Sequence, residues 1–104
     1  MKPSSIAPRV QLFVCTNVRA AEDPLKSACG AHGLPVFNAL RAEASRLGVS
    51  GAVWITRSGC LGHCPRDGCS VVVYPRGGQW TDVRTDDTEA LLREAITSNT
   101  TPRR

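Results

Sequence analysis

The sequence predicts a single α/β domain with the element order β-α-β-β-β-α, and three observations carry that expectation. Four short runs are rich in Val, Ile, Phe, Trp and Tyr and read as strands; two stretches place apolar residues at three-to-four spacing; and 104 residues amount to one domain's worth of chain. A strand-helix-strand unit within one sheet closes through a right-handed crossover in about 98% of cases, so the first two strands are expected to run parallel.

The elements follow in order. Met1 to Pro8 holds two prolines and two serines and reads as a frayed end. Val10-Gln11-Leu12-Phe13-Val14-Cys15 is a β-branched and aromatic run, the first strand. A loop with Glu22-Asp23-Pro24, Gly30 and Gly33 comes next. Pro35 suits the first turn of a helix, where its missing N–H costs nothing. Val36, Phe37, Leu40, Ala44 and Leu47 then share one face, and Gly48 supplies the stop.

Ala52 to Thr56 is the second strand. Ser58 to Gly68 holds three glycines, a proline and two cysteines, and reads as a structured loop. Ser70 to Tyr74 is the third strand, Pro75-Arg76-Gly77-Gly78 a turn, and Gln79 to Val83 the fourth strand. Asp86 with Glu89 three residues on forms a capping-box pattern, and Leu91, Leu92, Ala95 and Ile96 give the last helix its buried face. Residues 98–104 read as the second frayed end.

Composition narrows the function. The hydrophobic fraction of 41% and charged fraction of 21% exclude a disordered chain. No apolar run approaches the ~18 residues of a membrane span, and the N-terminal apolar stretch is shorter than a signal peptide's core, so a cytoplasmic protein with no membrane partner is expected. The net charge is +4, but no basic run of five or more occurs, so nucleic-acid binding is permitted but only weakly signalled. The unusual count is five cysteines: in a reducing compartment, clustered thiols hold metal or do redox work.

Topology brings four of them together. Parallel strands finish at one edge of the sheet, where Cys15 ends the first strand and Cys60 follows the second. The crossover helix starts at that edge, with Cys29 in the loop that feeds it, and Cys64 lies four residues beyond Cys60. Four converging thiolates can hold an iron–sulfur cluster or a structural zinc. Zinc sites favour two tight cysteine pairs, whereas thirteen residues separate Cys15 from Cys29, a spacing that leans towards iron–sulfur. Gly59 and Gly62 leave N–H groups able to approach sulfur, and a helix N-terminus favours an anionic centre.

The wording of the chain is similar to that of the bacterial thioredoxin-like [2Fe–2S] ferredoxins, the Shethna protein I type. The matching stretches are FVCTNVR at Phe13–Arg19, SACGAHG at Ser27–Gly33, CLGHC at Cys60–Cys64 and VVVYPRGGQW at Val71–Trp80. The resemblance implies a thioredoxin-like fold built on a four-stranded mixed sheet with helices packed on it, and a loop edge bearing the cysteines. It implies Cys15, Cys29, Cys60 and Cys64 as ligands of a [2Fe–2S] cluster, one-electron transfer without enzyme chemistry, and a homodimer. Where that family runs to Gly-Pro before its third strand, this chain has Gly68-Cys69.

Cys69 therefore has two readings, a small residue filling the proline's space or a reserve ligand replacing Cys60 or Cys64; the first is favoured because CLGHC already supplies both sulfurs. His32 and His63 read as solvated loop residues rather than ligands. Four thiolates and a diferric cluster lower the formal charge by two, to about +2, which favours partners with an acidic docking surface. The competing reading from another class is a zinc-stabilised binding module without redox activity.

Overall fold

The computed structural model describes residues 1–17, 30–59 and 68–100. The elements are β1 (Val10–Cys15), α1 (Gly30–Leu47), β2 (Val53–Ser58), β3 (Cys69–Tyr74), β4 (Gly78–Val83) and α2 (Thr88–Thr100), the last entered through a 3₁₀ turn at Thr85–Asp87. They form one mixed sheet in the order β2-β1-β3-β4. The expected crossover is present: β1 and β2 are parallel in register from Val10↔Val53 to Cys15↔Ser58. β3 lies antiparallel to β1, and β4 antiparallel to β3.

Strand alternation sorts the side chains into two layers. Val10, Leu12 and Val14 of β1, with Val71 and Val73 of β3, are buried beneath α1 and α2, which pack against each other on that face. Leu40 and Leu92 supply the helical side of this core, both fully buried, each contributing roughly 1.5–3 kcal/mol by removal from water. Among the described residues, no helix covers the central part of the other face. There Phe13 and Tyr74 meet edge to face at 5.9 Å, and Trp54 and Tyr74 remain 39% and 55% exposed.

Several sequence expectations shift. α1 begins at Gly30 rather than beside Pro35, which sits inside the helix. Two glycines and a proline make a poor helical start by propensity; packing of this turn on the end of β1 overrides them. His32 is accordingly a half-buried residue of α1, not a solvated loop residue. Gly48, at φ 74°, ends the helix as expected.

Asp86 does not cap α2. The Asp87 carboxylate accepts the Arg84 backbone N–H at 2.9 Å, and the Thr88 hydroxyl donates to the Thr85 carbonyl at 2.9 Å, while Glu89 pairs with Arg93 at 3.0 Å. The first two of these bonds close the 3₁₀ turn, and α2 starts behind it at Thr88. α2 then runs to Thr100, three residues into the stretch expected to fray; 101–104 lie outside the described residues.

Leu40→Ala should cost about 2–5 kcal/mol, through lost burial plus the cavity left between α1 and the sheet. Urea denaturation checks this as a lower midpoint at unchanged slope.

Candidate metal centre at the strand ends

The carboxyl ends of β1 and β2 are level. Cys15 pairs with Ser58, and just beyond them the Thr16 backbone N–H donates to the Ser58 carbonyl at 3.0 Å, with the Thr16 hydroxyl on the same oxygen at 3.3 Å. This small clasp ties the chain leaving β1 to the chain leaving β2. Thr16, Asn17, Arg57, Ser58 and Gly59 line an open hollow there. β3, running the opposite way, begins at the same edge with Cys69.

α1 starts over this edge, and its approach is tight. A Cβ built on Gly33 would lie 2.0 Å from the Cys15 carbonyl oxygen and 2.9 Å from the Thr16 Cα. Only glycine permits that contact, which sets the first turn of the helix directly against the Cys15–Thr16 backbone. The helix amino end carries partial positive charge, a favourable neighbour for an anionic centre.

Cys15 is 2% exposed and lies at the end of the strand that carries Phe13 on the uncovered face. By alternation it belongs to that face, as does Ser70 of β3, which is also fully buried; this end of the face is therefore covered. Cys29, Cys60 and Cys64, together with His63, lie outside the described residues. Their described sequence neighbours Gly30 and Gly59 begin α1 and follow β2. Among the described residues, no group of three or more His, Cys, Asp or Glu side chains is placed to hold a metal.

The fifth cysteine behaves differently. Cys69 is 0% exposed and pairs with Val83, and with Val71 and Val73 it belongs to the helix-covered face, in the hydrophobic core. It thus points to the opposite side of the sheet from Cys15. An extra residue in β4 between Trp80 and Val83, with Asp82 at φ 58°, bends the strand so that Val83 returns to the core opposite Cys69. Gly68, at φ 71°, would carry a Cβ 2.6 Å from the Asp82 and Val83 backbone, so glycine is needed where the chain rejoins the sheet.

Sequence reasoning identified Cys15 at this edge and missed the roles of Thr16, Ser58 and Gly33. The second glycine of SACGAHG is the signal the chain offers, and only the contact with β1 shows what it is for.

Known proteins resemble the chain in both sequence and structure. It is 28% identical over 91 residues to a 2Fe-2S ferredoxin from Clostridium pasteurianum, covering 88% of each chain. A thioredoxin-like [2Fe-2S] ferredoxin from Aquifex aeolicus superposes with a TM-score of 0.75 at 26% identity, covering 88% of this chain and 84% of that one. A cysteine-to-serine variant of the Aquifex aeolicus protein matches with a TM-score of 0.74 at 25% identity, over 86% of this chain and 88% of the other. No protein-family model matches.

Gly33→Ala should destabilise the fold by about 1–3 kcal/mol or more, since backbone rather than a flexible side chain must move. Gly51→Ala, where a Cβ meets nothing within 4 Å, is the control. Thermal melts should show a fall of at least about 4 °C for the first and little change for the second.

Proposed function

We infer that this chain, a relative of the thioredoxin-like [2Fe–2S] ferredoxins in sequence as in fold, is a one-electron carrier whose cofactor is a [2Fe–2S] cluster. The observation that carries this most directly is the joint match in sequence and fold across 88% of the chain. When bound, such a cluster accepts and releases a single electron without substrate bonds being made or broken. The chain's own part is to hold, shield and orient it.

We assign Cys15, Cys29, Cys60 and Cys64 as the ligands. Supporting this, Cys15 is a buried thiol at the strand end, and the sequence places Cys29 and Cys60 next to the described residues that start α1 and follow β2. Cys69 is assigned to the core, because it is buried on the opposite face of the sheet. The Thr16–Ser58 clasp fixes the strand ends against each other, and Gly33 lets the positive end of α1 approach. No substrate chemistry is assigned.

A cytoplasmic location and a homodimer complete the reading. In support of the dimer, the uncovered face carries Trp54 and Tyr74 half-exposed beside Phe13 and Val72, apolar surface that a second copy would remove from water. The positive net charge favours redox partners with an acidic docking surface.

Anaerobically purified protein should show the visible absorption of thiolate-bound ferric iron and, after one-electron reduction, an EPR signal. A colourless protein with one zinc and no labile sulfide would overturn the assignment. Cys15→Ala and Cys29→Ala should lose the chromophore. Cys69→Ala should keep it, at a stability cost of about 1 kcal/mol from the vacated core volume. Cys64→Ala with a retained but shifted spectrum would instead give Cys69 a ligand role. Sedimentation should find a dimer at micromolar concentration, and Trp54→Glu/Tyr74→Glu should weaken association at least tenfold while leaving the visible spectrum unchanged.

A further inference from the structure

Arg41 of α1 and Arg57 of β2 share one aromatic ring. Their guanidinium carbons lie 5.6 Å and 6.0 Å from the centroid of Phe37, a core residue only 8% exposed. Both arginines are exposed, and among the described residues neither has an ion-pair partner. Two like charges on one ring repel each other; stacking holds the planar groups in place without neutralising them. The result is an exposed positive pair with no ion-pair partner among the described residues.

Its position matters. Arg57 lines the hollow formed with Thr16, Asn17, Ser58 and Gly59, so it stands beside the residues that follow Cys15 and precede Cys60. Gly33, Phe37 and Arg41 fall four residues apart along α1, one helical stripe that begins at the Cys15 backbone and ends at the second arginine, about 12 Å along the axis. The described acids lie elsewhere. Glu43 is engaged by Arg46, whose hydrogen bond holds its carboxyl below the usual range, and the other described carboxylates all belong to residues 82–94, in β4, the 3₁₀ turn and α2.

We propose that Arg41 and Arg57, braced on Phe37, are the docking site for the carboxylate-rich patch of a redox partner, and that they orient the Cys15–Cys60 edge towards it. The proposal rests on the electron-carrier reading and deepens it by naming the surface. Exposed guanidiniums match carboxylates in paired hydrogen bonds, and a local positive charge near the electron's exit raises the rate of encounter with an acidic partner.

Three cluster-loaded proteins test it: wild type, Arg41→Glu/Arg57→Glu, and a control, Arg9→Glu/Arg76→Glu, with the same change in net charge at the opposite edge of the sheet. The first readout is calorimetric binding of poly-L-glutamate at low ionic strength. The double variant should bind at least tenfold more weakly, with the control within about threefold of wild type. The second is stopped-flow oxidation of the reduced proteins by hexacyanoferrate(III). One electron leaves the cluster, returning it to the diferric state, and reduces the reagent's iron to the ferrous state. Arg41→Glu/Arg57→Glu should slow this roughly tenfold at low salt and converge with wild type at high salt. Arg41→Gln/Arg57→Gln, which removes charge without reversing it, should give an intermediate loss in both assays.

Equal losses in the control, or none in the double variant, would overturn the docking site. A wild-type protein with no iron–sulfur spectrum would instead defeat the electron-carrier reading, and the polyglutamate comparison would still report on the arginine pair.

Discussion

The close passage of α1 over the end of β1 is the contact on which the rest of the structure depends. A parallel β1–β2 pair needs a crossover, and the crossover helix must start at the edge where both strands finish. Gly33 sets how near it starts, because its missing side chain lets the helix rest on the Cys15 carbonyl and Thr16 Cα. With the helix seated there, Val36, Leu40 and Ala44 fall onto the sheet in succession, and the core closes beneath α1 and α2. A side chain at Gly33 would lift α1 off the end of β1.

The sheet then separates two kinds of cysteine. Cys15 ends its strand on the face opposite the helices, whereas Cys69 begins its strand within the helix-covered core. Both are buried, so exposure does not distinguish them; strand direction and register do. The extra residue in β4 contributes by returning Val83 to the core opposite Cys69. One sheet thereby keeps a thiol for packing within a few residues of the loop that holds Cys60 and Cys64.

Charge is divided along similar lines. Among the described residues, the carboxylates other than Glu43 belong to β4, the 3₁₀ turn and α2, while Arg41 of α1 and Arg57 at the end of β2 share the Phe37 ring. The described charges are thus unevenly spread, which a net charge of +4 does not show. For a carrier that must meet a partner briefly and in one orientation, the distribution matters more than the total, because exposed charges are screened beyond about 10 Å at 0.1 M salt. The uncovered face with Trp54 and Tyr74 is spatially distinct from the arginine pair, since alternation places Arg57 on the helix side of β2 and Trp54 on the other.

The strands were legible in the chain because β-branched and aromatic residues pack well on a pleated surface: Val10–Cys15 begins and ends where its residues predict. The convergence of Cys15 with the residues flanking Cys29 and Cys60 was legible too, since crossover handedness follows from local chirality. The start of α1 was not. Gly30, Gly33 and Pro35 argue against helix by propensity, and only contact with β1 makes glycine at 33 an advantage. The cap expected at Asp86 likewise gave way to a 3₁₀ turn, closed by the Asp87 carboxylate on the Arg84 N–H. The sequence alone determined the elements and their order, governed by interactions between near neighbours. Which face Cys69 occupies, how closely α1 meets Cys15 and that Arg41 and Arg57 share the Phe37 ring were decided by the tertiary structure, because register, close approach and shared contacts arise only between segments distant in the chain.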